Sequence, residues 1–320
     1  MREAASVSFP LFLIKRVQGG ANMKQFKRMF GKDAAVAWML IAPNVIWIAV
    51  FTLFAIFYSF YLSFTEVDLF ANQFTLVGLD NYKQSFADPV FIKSIVNTTV
   101  FTIFTVAFSM AIAIVVAVLL NSKIKGRKLM RAAFFLPSIL PIIAVAQVWI
   151  WIYEPSYGLL NFFLEKIGIG NPSHPFQWLV SPDTAMLSVI IFSIWKSFGY
   201  NMVIYLAALQ GVPRSLYEAA EIDGANAVQK FFRITIPGLR PATFFILITS
   251  ISGSFQTFGE IYALTNGGPM NQTNMIAYYI YQYAFEFFKI GRASAVSVLL
   301  FILLFAITIW QWNSYQKKED

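Results

Sequence analysis

Long stretches without one charged side chain alternate with short polar segments along this chain. Residues 34–65, 94–122, 132–153, 241–259 and 293–316 carry no charge at all, and a further stretch, about 184–210, carries only Lys196. About 20 apolar residues cross a hydrocarbon core as an α-helix, so each stretch is long enough to span. A backbone in lipid must satisfy its own hydrogen bonds, which favours helices over isolated strands. The pattern predicts an all-α, polytopic membrane protein with six transmembrane helices. Pro43, Pro137 and Pro141 fall inside or near the ends of spans, where neighbouring helices can absorb a kink. The connections 66–92, 155–182 and 264–292 lie between spans, and the first two carry turn residues such as Gly78, Asp80-Asn81, Pro155, Gly158 and Gly170-Asn171-Pro172.

Composition supports lipid as the solvent. Of 320 residues, 58% are hydrophobic and 12% charged, whereas soluble domains carry about a quarter charged residues. Phe alone occurs 34 times, which suits lipid-facing helices. The net charge of +8 would suggest nucleic acid if it were spread evenly. It is not. Eighteen of the 24 Lys and Arg fall in the N-terminal arm, in the loops after the second and fourth spans, and at the C-terminus. The positive-inside rule makes that side cytoplasmic, with both ends inside, and explains the basic charge without nucleic acid. The organisation expected is a cytoplasmic arm over 1–33, a membrane domain over 34–316 and a short cytoplasmic tail over 317–320. Within the arm, residues 4–14 form a weak apolar run without a clear cleavage site. Met23 would make a natural start, so residues 1–22 read as a start-site extension. No internal repeat relates the six spans, whereas many secondary transporters carry inverted repeats in one chain; the symmetry partner is then another chain.

Several chemistries are excluded by the residues available. There are no cysteines and one histidine, His174, so thiolate and His-cluster metal sites, Cys nucleophiles and Ser–His triads have no basis. No G-x-x-x-x-G-K-[ST] occurs, so the chain has no phosphate-cradling loop with which to hydrolyse ATP. An ion-coupled secondary transporter or channel subunit is the main alternative, but it needs paired intramembrane charges or a selectivity sequence. Only Lys196 lies well inside a span, with Glu260 near an outer end.

The loop 211–240, GVPRSLYEAAEIDGANAVQKFFRITIPGLR, carries the most information. Ser215 and Glu218 fit a capping box that would start a short helix. Gly224 breaks or bends the chain, a second helical piece runs to about Phe232, and Pro237 and Pro241 end it and restart the next span. Leu216, Tyr217, Ile222 and Phe231 would lie where no lipid covers them, so this knuckle asks for a protein partner.

Glu218-Ala219-Ala220, then Gly224, Ile234 and Pro237, resembles the EAA motif of the membrane subunits of binding-protein-dependent ABC importers. The one departure is Ile236, where the family usually has Leu. Leu136-Pro137-Ser138 with Pro141, Trp195-Lys196 through Gly199-Tyr200, Leu209-Gln210-Gly211-Val212-Pro213 and Thr265-Asn266-Gly267-Gly268-Pro269 resemble the sugar-permease branch, which includes the maltose and glycerol-phosphate importers. The resemblance covers the chain from about residue 34. It implies a type I importer permease fold in the bacterial cytoplasmic (inner) membrane and alternating access. The partners it implies are a second, different permease subunit, two ATPase subunits holding ATP and Mg2+, and an extracytoplasmic solute-binding protein; this chain itself would hold no cofactor. ATPase coupling would fall to Ser215, Leu216, Tyr217, Glu218, Ala219, Ala220, Asp223 and Gly224.

A sugar needs hydrogen-bonding groups for its hydroxyls and aromatic faces for its C–H surfaces. The fourth and fifth spans offer both. By resemblance to the maltose-type permeases, the substrate pathway falls on Ser193, Lys196, Ser197 and Tyr200, then Ser250, Gly253, Ser254 and Thr257. Gly253 would let a ligand approach the backbone. Lys196 lies near the midplane, where an ammonium is costly without a partner. Three roles stay open for it: binding an acidic saccharide or sugar phosphate, pairing with Glu260 or a partner's carboxylate, or lining an aqueous cavity.

Overall fold

The computed structural model describes residues 32–68, 73–122, 124–171 and 173–316. The arm ahead of Lys32, its start-site extension and the tail 317–320 lie outside the described residues. The chain divides into two compact units, Met1–Tyr58 and Ser59–Asp320. α1 (Lys32–Trp47) passes through a π-helical stretch, Ile48–Leu53, into α2 (Phe54–Leu62), and the boundary falls within α2. Within the apolar helical run Ala37–Leu62 an 18-residue window reaches a mean hydropathy of 2.3, so its length and composition suit a membrane span.

After the end of α2 comes a small antiparallel hairpin, β1 (Thr65–Asp68) and β2 (Gln73–Leu76), with Thr65 opposite Leu76 and Asp68 opposite Gln73. This departs from the all-α expectation; four-residue strands leave little period-2 signal. Asn81 fixes the hairpin base by donating to the carbonyls of Ser63 (3.0 Å) and Thr65 (2.9 Å). The short α3 (Asp80–Ala87) follows, then α4 (Pro89–Asn121). α4 starts five residues before the charge-free stretch because Asp88 caps it: the carboxylate accepts from the Val90 N–H at 2.9 Å, and Pro89 occupies the first turn. Both are favoured helix-start signals.

The third expected span is broken. α5 (Arg127–Ile139) and α6 (Ile142–Ile152) meet at 103°. Pro141 has no N–H to give, and it forces the residue before it out of the helical region. Leu140 is accordingly extended, at φ −72° and ψ 145°. After α7 (Leu159–Lys166), α8 (Ala185–Leu209) runs unbroken. The loop that follows holds α9 (Arg214–Ile222), α10 (Ala227–Lys230), a π-helical stretch Phe231–Thr235 and α11 (Ile236–Gly238). Pro237 sits in the first turn of α11, so it continues the helical path that it was expected to end. A 65° bend leads into α12 (Arg240–Phe255), which stops four residues short of the expected end. Then come α13 (Gly259–Leu264), α14 (Ile276–Tyr281), a π-helical stretch Gln282–Glu286 and α15 (Ile290–Gln316). Among the described residues, four unbroken helices are long and apolar enough to cross a membrane, or six if each bent pair counts as one span.

α8 packs chiefly against α4 and α5, and α12 against α4. Gly199 lets α8 approach α5, because a Cβ there would collide with the Phe134 carbonyl. Two apolar clusters fill the two halves of this bundle. Phe101, Val189, Phe192, Ile261 and Met275 form one; Ala113, Ala117, Met202, Leu206 and Ile246 form the other.

Candidate functional site

Between these two clusters the helices become polar. On α4 the buried residues after Phe101 are Thr102, Thr105, Val106 and Ser109, then Ala113. On α8 the buried Ser193 and Asn201 interrupt an apolar run that includes Phe192, Phe198 and Met202. A cavity of about 330 Å³ opens at this level, and all eight residues expected on the substrate pathway line it. Ser193, Lys196, Ser197 and Tyr200 come from α8; Ser250, Gly253 and Ser254 come from α12, with Thr257 just beyond. α4 adds Thr105 and Ser109, and Ser138, Asn201, Thr249 and Glu260 complete the polar wall.

The hydroxyls divide into two kinds. Ser197 donates to the Ile194 carbonyl (3.5 Å) and Thr257 to the Gly253 carbonyl (3.3 Å). Ser109 accepts from Asn201 at 3.4 Å. Ser193 and Thr105, by contrast, are 4% and 5% exposed, and neither side-chain oxygen has a partner. A buried hydroxyl without a partner costs on the order of 1–3 kcal/mol, so these two carry unmet hydrogen-bonding capacity. Gly253 is open: a Cβ there would meet nothing within 4 Å. Packing does not require glycine at this point, which leaves room beside the α12 backbone.

Lys196 sits at the middle of α8, half-buried. Its Nζ donates to the carbonyls of Pro137 (3.2 Å) and Leu140 (3.0 Å). Among the described residues it makes no ion pair. The pairing with Glu260 that the sequence left open is therefore not formed, although both groups face one cavity.

The loop after α8 has its own logic. α9 ends in a Schellman motif: the Ala225 N–H reaches the Ala220 carbonyl (2.8 Å) and the Gly224 N–H reaches that of Glu221 (3.1 Å). Gly224 holds φ +76° with open space around it, so glycine is required there by backbone conformation rather than by room. The four-residue step from Ala220 to Gly224 is the separation this cap needs. The next helix is capped two residues later, with Asn226 and Gln229 bonding reciprocally at 2.9 Å. That is the capping box of the loop. The one expected at Ser215 and Glu218 does not form, because α9 already begins at Arg214 behind Pro213, which puts Ser215 past the cap position. Ser215, Glu218, Ala219 and Asp223 are exposed and Ala220 is half-buried. Leu216 and Ile222 are 50% and 87% exposed. Tyr217 and Phe231 turn partly inward, Tyr217 bonding Thr235 Oγ1 at 2.9 Å, and Val228 and Phe232 take the exposed places instead.

Residues 109–317 match the family described as "Binding-protein-dependent transport system inner membrane component". The chain belongs to this family. The permease is 35% identical over 311 residues to the probable ABC transporter permease protein YesP of Bacillus subtilis, covering 94% of this chain and 99% of that one. It is 31% identical over 284 residues to the sn-glycerol-3-phosphate transport system permease protein UgpA of Agrobacterium fabrum, covering 88% and 94%. Its fold matches a chain of a bacterial ABC transporter involved in the import of the acidic polysaccharide alginate, with a TM-score of 0.79 at 24% identity over 92% of this chain and 99% of that one. The protein is thus a multi-pass membrane component of an ABC importer, with the ATPase on a separate subunit.

Reading the permease sequence for polar groups on the fourth and fifth spans missed the contribution of α4. The signal was there. Thr98, Thr102, Thr105, Ser109, Ala113 and Ala117 recur every three or four residues, and all six are buried on one face. Small and polar residues at helical spacing mark a close-packed face as well as a pore lining, and only the tertiary arrangement separates the two.

Proposed function

We propose that this chain is one of two unequal permease subunits of an ATP-driven importer, and that it moves a carbohydrate or a sugar phosphate by alternating access. The observation that carries this reading is the mid-bundle cavity. Its wall joins hydroxyls, an ammonium and the Tyr200 ring, and two of its buried hydroxyls lack partners. Such groups suit a ligand rich in oxygen, since a bound hydroxyl can both donate and accept. A volume near 330 Å³ lies at the lower end of ligand pockets, as expected if a second subunit supplies the opposite wall. The relative that handles glycerol 3-phosphate and the likeness to the alginate importer point the same way. Both ends lie in the cytoplasm of a bacterial cell, the membrane is the cytoplasmic one, and an external binding protein delivers the solute.

The loop 211–240 is the handle gripped by an ATPase subunit that holds ATP and Mg2+. Ser215, Leu216, Tyr217, Glu218, Ala219, Ala220, Asp223 and Gly224 form it, and Leu216 and Ile222 supply its apolar contact. Burying one such side chain is worth about 1.5–3 kcal/mol. The Leu216→Asp/Ile222→Asp double variant is expected to lose the ATPase subunit on co-purification while the permease keeps its unfolding temperature, because both positions are exposed. Retained ATPase would remove this loop from the coupling interface. The substrate class is tested by ATP-dependent uptake into proteoliposomes of the whole complex with its binding protein, using glycerol 3-phosphate, an alginate oligosaccharide and a neutral disaccharide as probes. Uptake of any of the three supports the reading; uptake driven by an ion gradient without ATP overturns it.

A further inference from the structure

We infer that Lys196 is a positioning residue that takes the place of a backbone N–H missing from the broken third span. In an unbroken helix the Pro137 carbonyl would accept from the N–H of residue 141. Residue 141 is proline and has no N–H. Leu140, made extended by that proline, has also lost its place in the ladder. The break leaves the closing carbonyls of α5 without helical donors, those of buried Pro137 and of Leu140 among them, and an unpaired carbonyl inside a bundle is costly. The Lys196 ammonium reaches both, at 3.2 Å and 3.0 Å.

One interaction therefore satisfies two needs. The carbonyls gain a donor, and the ammonium gains acceptors that need no second buried charge. Ser138 lies between them in sequence and lines the cavity, so the same contact sets part of the cavity wall. Gly199, one turn along α8, brings that helix against Phe134 closely enough for the lysine to reach. An ammonium has three hydrogens. With two on the carbonyls, the third is left for an oxygen in the cavity. A ligand carboxylate or phosphate that drew Nζ away would at the same stroke release the 103° break. This last step rests on the cavity being the solute pathway; the hold on the break does not.

The test uses the assembled complex in lipid without solute. The chain has no cysteine, so with the other subunits made cysteine-free, spin labels can be placed uniquely on α5 and α6, at exposed Leu129 and Trp151. Their distance reports the bend. Lys196→Met is expected to broaden the distance distribution and shift its mean by on the order of one helical turn, ~5 Å. Lys196→Arg, which can still donate to both carbonyls, is expected to restore the narrow distribution. Pro141→Ala returns an N–H to the Pro137 carbonyl, and in that background Lys196→Met is expected to add no further change. The proposal falls if Lys196→Met leaves the distribution narrow, or if its effect is the same with and without Pro141. No solute enters this measurement, so it can fail while uptake succeeds, or succeed while all three uptake probes fail.

Discussion

Two polar clusters sit in the same bundle and are built in opposite ways. The first surrounds Asp88 at the start of α4. Its carboxylate accepts from the Val90 N–H (2.9 Å), from the Tyr279 (2.9 Å) and Tyr283 (2.7 Å) hydroxyls, and from Arg292 (2.8 Å). Arg292 also donates to the Gln84 carbonyl (2.9 Å) and lies 4.5 Å from the Tyr283 ring centroid. Both charged side chains are nearly buried, at 11% and 13% exposure. Only the Arg292 Nε is left over. The second cluster, the mid-bundle cavity, leaves the Ser193 and Thr105 hydroxyls unpartnered and the space beside Gly253 empty. The first arrangement ties the α3–α4 junction to α14 and α15. The second holds polar groups in reserve. Both clusters are polar in sequence; how far each is satisfied sets them apart.

Substitutions can break this contrast, and the largest effect belongs to the closed cluster. Asp88→Ala leaves Arg292 buried without its anion, which costs roughly 3–5 kcal/mol, and is expected to lower the unfolding temperature of the detergent-solubilised chain strongly. Its pH dependence is a second reading of the same contact. Burial would raise the Asp88 pKa, but the Tyr283, Val90 and Tyr279 hydrogen bonds and the Arg292 charge outweigh it and hold the carboxyl below its ordinary value. A lowered folded-state pKa gives stability that is present above the unfolded value, about 3.9, and lost as pH falls through the folded one. The natural chain should lose stability in that acid window, and Asp88→Ala should show no such slope. A slope unchanged by the substitution would mean that this pair does not carry the effect.

The open cluster should respond with the reverse sign. Ser193→Ala and Thr105→Val remove hydroxyls that have no partner, so each is expected to leave stability unchanged or raise it by about 1 kcal/mol. If the solute supplies the missing partner, each should weaken the apparent affinity for uptake by roughly 2–10-fold. Loss of stability in either variant would show that the hydroxyl is structural and erase the contrast. The smallest effect is expected at Gly253→Ala. Alanine is the better helix former by up to about 1 kcal/mol, and nothing stands in its way. Stability should hold or rise slightly while uptake falls; unaltered uptake would mean that no ligand approaches the α12 backbone.

The sequence by itself determined where the chain can enter lipid, because hydropathy and charge are properties of each residue and need no neighbour. It also determined the knuckle after α8: the step from Ala220 to Gly224 is local, and a helix cap is decided within a few residues. Even there, local pattern chose the wrong start, since Pro213 placed the cap ahead of Ser215. The tertiary structure decided the rest. Whether Pro141 bends a span or breaks it depends on what receives the freed carbonyls, and that group, Lys196, lies 55 positions further on. Whether a serine is satisfied or waiting depends on which helix faces it. Asp88 and Arg292 look in sequence like ordinary loop charges; folding brings them within 2.8 Å across 204 positions. Such long-range pairings are set by packing, and periodicity along the chain does not encode them.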